Sequence, residues 1–138
     1  MAKHLLVAYD GSPSAEKAFD FAIEFARVLG ADLYVLAVAR PPEPADDVET
    51  EAIIENATEY FEKQFAALAK KAAATGVQAK FEVAIGQPAE QIVHFAEKHG
   101  LDHIVMGHRG KTFFRRLLLG SVSKQVIDHA HCTVTVVR

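Results

Sequence analysis

The 138-residue chain contains one cysteine, Cys132. A disulfide framework and a four-cysteine zinc site are therefore both excluded. No apolar run approaches the roughly 18 residues that a membrane-crossing helix needs, so no membrane insertion is expected. The first strand-like segment starts at His4, leaving no room before it for a charged leader, an apolar stretch and a cleavage site; the expectation is a cytoplasmic protein. Charge of one sign is scarce as well. Formal net charge is −3 at pH 7, so the chain as a whole is no generic nucleic-acid binder. What is present is apolar material: 50% of residues are hydrophobic and 24% charged. That excludes a disordered or fibrous chain and supplies a core for one domain over residues 1–138.

Two hydrophobic periods alternate along the chain. His4 to Tyr9 is a short, mostly apolar run that suits a strand covered on both faces. Ser12-Pro13 offers an N-cap followed by proline at the first helical position. Ala15, Ala18, Phe19, Ala22, Ile23, Ala26 and Leu29 then recur at helical spacing up to Gly30. Leu33 to Val38 is a second buried strand. From Arg40 to Thr50, with Pro41, Pro42, Pro44 and several acids, the pattern predicts a surface loop. A long helix with Ile54, Ala57, Phe61, Leu68 and Ala72 on one stripe ends at Gly76. Val77, Ala79, Phe81, Val83 and Ile85 alternate with polar residues, which suits an edge strand. Pro88 opens a third helix that stops at Gly100, and His103 to Met106 is the fourth strand. A helix from about Ser121 to Ala130 and a strand from Thr133 to Val137 close the chain.

This order predicts an α/β fold: one doubly wound, Rossmann-like parallel sheet with strand order 3-2-1-4-5 and helices on both faces. Ligands in such sheets bind outside the carboxyl ends of the strands, where the winding reverses. That crevice lies between Tyr9-Asp10 and Met106-Gly107.

The segment that enters it contains Gly107, Gly110, Gly120 and Ser121. Gly107 and Gly110 let the backbone approach a ligand and adopt positive φ. Gly120-Ser121 begins a helix whose free N–H groups face the crevice, and the helix after Asp10 points its N-terminus into the same space. Between His103 and Ile127 there are five basic residues, among them Arg109 and Lys111, and no acid. A local field of +5 in an otherwise acidic chain favours a small polyanion. Gly110-Lys111-Thr112 imitates the end of a Walker A loop, but the first glycine of that motif would fall on Val105, inside a strand. A P-loop is excluded.

The spacing Gly107-x2-Gly110-x9-Gly120-Ser121 resembles the nucleotide signature of the universal stress protein family. The opening Leu6 to Ser12 and the closing Cys132 to Val137 are similar to that family's first strand and turn and to its last strand. The resemblance spans the chain and implies the ATP-binding subgroup. Asp10 would then hold the ribose or a phosphate-bound Mg²⁺ ion. Val38 would meet the adenine through its backbone, with Ala8 and Met106 as apolar neighbours. Gly107 and Gly110 would pass beside ribose and phosphates, and Gly120, Ser121 and Val122 would hold the phosphate tail, with Ser123 the next hydroxyl. It also implies a homodimer paired through the last strand, an edge with no charge from Thr133 to Val137.

Each of these residues also has a plainer reading. Asp10 is a common turn residue before a helix, Met106 is core packing that also touches the base, and His108 is as well suited to the surface as to a phosphate. His129-Ala130-His131-Cys132 could supply metal donors, but its alternation spreads them over different faces. No catalytic constellation is evident, since nothing identifies a base against a γ-phosphate. The expected protein is therefore an ATP-binding regulatory or stress-response module with a protein partner of unknown identity. Slow hydrolysis or self-phosphorylation on Ser121 or Ser123, and an adaptor for AMP or another adenylate, are the alternatives.

Overall fold

The structure, a computed structural model, describes residues 4–43, 47–109 and 119–138. Gly110 and the apolar-basic segment after it lie outside the described residues. The elements run β1 (His4–Ala8), α1 (Pro13–Leu29), β2 (Asp32–Ala39), α2 (Asp47–Thr75), β3 (Ala79–Ile85), α3 (Pro88–Lys98), β4 (His103–Gly107), α4 (Ser121–His129) and β5 (Thr133–Val137). All strand pairs are parallel, and the order is β3-β2-β1-β4-β5. The doubly wound sheet is as the periodicity predicts.

Strict alternation along the strands divides the interior into two cores. Leu5, Val7, Leu33, Val35, Ala37 and Val105 pack toward α1 and α2, where Phe19, Ala22, Phe61, Phe65 and Leu68 meet them. Leu6, Leu36, Ile104 and Met106 point the other way, toward Ala89, Ile92, Phe95 and Ala96 of α3 and Val126 of α4. Successive side chains of a strand leave on opposite faces, so the two sets interleave in sequence. On the central strands both faces are filled, which is why those strands read as continuous apolar runs. β3, at the edge, keeps its alternating pattern.

Two boundaries differ from the expectation by more than one residue. α2 starts at Asp47, inside the segment expected to be a loop through Thr50. Asp47 and Glu49 beside the prolines read as loop residues, but acids in a first helical turn complement the positive end of the helix dipole. β3 begins at Ala79 rather than Val77, and Val77 is buried just before it.

Among the described residues, no helix is long and apolar enough to cross a membrane.

Candidate functional site

Strands β1, β2 and β4 end side by side, and the chain leaves β1 and β4 toward opposite faces of the sheet. The gap so created holds a cavity of about 430 Å³, within the range of small-molecule sites. It is lined by Ala8, Asp10, Val38, Met106, Gly107, Gly120, Ser121, Val122 and Ser123, every described member of the candidate set. The sequence reading missed Leu36, Arg40, Pro88 and Ile92, which also line it, and Arg109, which it had counted only as part of a basic stretch. Leu36 and Arg40 were legible in principle, because both share the parity of Val38 along the strand.

The walls are of two kinds. Leu36, Ile92 and Met106 are buried members of the α3/α4 core, and Ala8, Val38 and Val122 pack partly against it. Together they make an apolar slot. Asp10, Arg40, Arg109, Ser121 and the start of α4 supply the polar groups.

The two helix N-termini beside the cavity differ from the expectation that both serve a ligand. At α1 most of the first donors are already used. Asp10 Oδ1 accepts the Ser12 N–H at 2.9 Å, Ser12 Oγ accepts the Ala15 N–H at 3.1 Å, and Pro13 has no N–H. Asp10 thus does act as the turn residue of its plainer reading, while still lining the cavity. At α4 the N-cap is Gly120, with φ −68° and ψ 158°, and no side chain among the described residues caps the helix. Its first-turn amides are the ones left for an oxyanion.

Gly107 is needed for a reason other than ligand approach, and its φ is not positive. A Cβ there would sit 2.3 Å from Ser14 Oγ and 2.7 Å from the Ser14 carbonyl carbon. The glycine lets the first turn of α1 lie directly on the end of β4. His108 holds the next step: its N–H donates to Val137 O at 3.0 Å and its carbonyl accepts the Gly120 N–H at 2.7 Å. Its Nδ1 lies 3.3 Å from Ser14 Oγ. The two ends of the glycine-bounded segment are thereby brought together at the cavity. Ser123 is buried and donates its hydroxyl to Gly107 O at 2.8 Å, so it braces the loop and keeps only acceptor capacity.

On the α1 side of the same turn, the Tyr9 hydroxyl donates to Glu16 Oε1 and lies 3.3 Å from Gln64 Oε1. Burial first, then the Glu16 carboxylate, push this phenol above the usual tyrosine range. Gly11, at φ +83°, is covered by the Tyr60 ring and hydroxyl, and an L side chain there would be both strained and blocked.

The residues read as weak metal donors sit elsewhere. His129 Nδ1 is 2.8 Å from Gln125 O at the end of α4, and His131 Nε2 is 3.4 Å from Glu97. Burial raises the Cys132 thiol pKa. Among the described residues no cluster of three His, Cys, Asp or Glu could hold a metal ion.

Comparison with known proteins decides the family. The model of the universal stress protein family matches residues 1–138. The chain belongs to the universal stress protein family. It is 37% identical over 143 residues to universal stress protein MJ0531 of Methanocaldococcus jannaschii, covering 99% of this chain and 82% of that one. The solved universal stress protein UspA from Lactobacillus plantarum superposes with a TM-score of 0.93 at 28% identity, over 99% of this chain and 98% of that one. A universal stress protein from Archaeoglobus fulgidus, solved in complex with dAMP, shares the fold with a TM-score of 0.67 at 21% identity, covering 100% and 98% of the two chains.

Proposed function

We propose that this universal stress protein binds ATP with Mg²⁺ and works as a homodimeric regulatory module in the cytoplasm, signalling to a protein partner. The observation that carries the reading is the meeting, in one cavity, of an apolar slot and an uncapped helix N-terminus. Leu36, Val38, Ile92 and Met106 suit a flat base, and the Ser121 to Ser123 amides with the Ser121 hydroxyl suit phosphate oxygens. Asp10 lies between them and suits ribose hydroxyls or a phosphate-borne cation. Mg²⁺ is usually held by one or two carboxylates together with substrate phosphates, and Asp10 is the one carboxylate among the described lining residues. Gly110, outside the described residues, belongs to the same proposed site. The dAMP complex of the Archaeoglobus protein speaks for what this fold can hold.

A binding role is favoured over hydrolysis because the Asp10 carboxylate already accepts the Ser12 N–H, and no other described lining residue is a ready base. Pairing through β5 is favoured by its edge position and by the exposed apolar side chains Phe21 and Val28 on α1, which packs against β5. A bare edge strand invites a second copy.

Native mass spectrometry of the purified protein tests the reading. The expected species is a dimer with one ATP per chain, and Gly110→Val abolishes the bound mass. A protein that holds no adenine nucleotide, alone or after addition of ATP and Mg²⁺, overturns it; retention of AMP alone replaces ATP by the adenylate adaptor.

A further inference from the structure

We propose that Arg40 is a base-side ligand contact of this cavity, its planar guanidinium lying against the face of the bound base. The proposal rests on the nucleotide reading above. Along β2, Leu33, Val35 and Ala37 face α1 and α2, whereas Leu36 and Val38 face α3 and α4. Arg40 continues the second series one step beyond the strand and lines the cavity. The local sequence accounts for this. A residue before proline is held in extended conformation, so the strand's alternation carries past Ala39 to Arg40 before Pro41 and Pro42 redirect the chain. Flanking bonds anchor the segment. Gly86 N–H donates to Ala39 O at 3.1 Å, and Gln87 Nε2 donates to Glu43 Oε1 at 3.4 Å. Pro88, at the start of α3, lines the cavity on the same side.

Position across the sheet decides what Arg40 meets. β1 lies between β2 and β4, and neighbouring strands are about 4.8 Å apart. The end of β2 is therefore roughly 10 Å from the end of β4, where Arg109 and the start of α4 lie. Phosphates held by the α4 amides leave the base over Leu36 and Val38, under Arg40. Arg109 stays on the phosphate side. A guanidinium is flat, weakly hydrated and stacks on aromatic faces, which an ammonium does less well. Arg40 is also exposed, so the contact costs little desolvation.

Calorimetric titration with ATP and with AMP tests this. Arg40→Ala is expected to weaken both by the same factor, about fivefold, with an unchanged melting temperature. Arg40→Lys recovers only part of the loss. Arg109→Ala weakens ATP more than AMP. The proposal is overturned if Arg40→Ala spares AMP, which would make it a phosphate contact. It is also overturned if Arg40→Lys restores full affinity, or if Arg40→Ala changes nothing while the unaltered protein binds ATP. An unaltered protein that binds neither nucleotide removes the nucleotide reading and this contact with it.

Discussion

Two helices start at the carboxyl ends of neighbouring strands, α1 after β1 and α4 after β4, and their first turns are completed in opposite ways. α1 is largely closed by its own sequence: Asp10 and Ser12 take the Ser12 and Ala15 amides, Pro13 has none to offer, and Tyr9 ties Glu16 to the turn. α4 starts on a glycine and has no side-chain cap among the described residues. Both ends carry the same dipole and both border the cavity. A helix N-terminus is an anion site only where the chain has left its amides unclaimed. The closed end gives rigidity, and the open end leaves amides for the proposed phosphates.

The largest effect is expected from removing the seat of the closed helix. Gly107→Ala places a Cβ 2.7 Å from the Ser14 carbonyl carbon and 2.8 Å from its oxygen, where backbone cannot step aside. Urea denaturation should show a loss of about 1–3 kcal/mol. An unchanged midpoint would mean that α1 can slide off β4 without penalty.

Gly120→Asp converts the open end into a copy of the closed one. Its extended backbone accepts any residue, and an aspartate there caps the helix, so stability should hold or rise by a few tenths of a kcal/mol. ATP affinity should fall more than about tenfold, because the carboxylate takes the amides and repels phosphate. A variant that binds ATP normally would place the phosphates elsewhere.

The reverse exchange is Ser12→Ala. Uncapping α1 should cost about 1 kcal/mol of stability and leave ATP affinity within about twofold, since these amides do not serve the ligand. Parallel melting and calorimetry would separate the two quantities.

The smallest effect is confined to alkaline solution. The Tyr9 phenol is held protonated in the fold, so its contribution is complete below the ordinary tyrosine pKa of about 10. It is lost as pH rises above that value, where the unfolded chain releases the proton first. Stability of Tyr9→Phe, measured from pH 8 to 11, should lack that part of the alkaline decline.

Much of this was legible in the sequence because the fold rests on alternation. The strand periodicities of Leu33–Val38 and Phe81–Ile85 specify which strand is covered and which lies at the edge, and glycine spacing marks the crevice. What escaped depends on neighbours in space. The acids at 47 and 49 resemble a loop until a helix is known to start there. That Gly107 is also required by packing appears only when Ser14 is found against it, and the capped state of α1 only when Ser12 Oγ is seen on the Ala15 amide. Arg40 is hidden because the prolines after it resemble the end of regular alternation, which in fact carries one residue past the strand.

The most direct test is amide NMR of the protein titrated with ATP and Mg²⁺. The account predicts saturable shifts that are largest at Ser121, Val122 and Ser123 and small at Ser12 and Ala15. Shifts that are absent, or that centre on the first turn of α1, would contradict it.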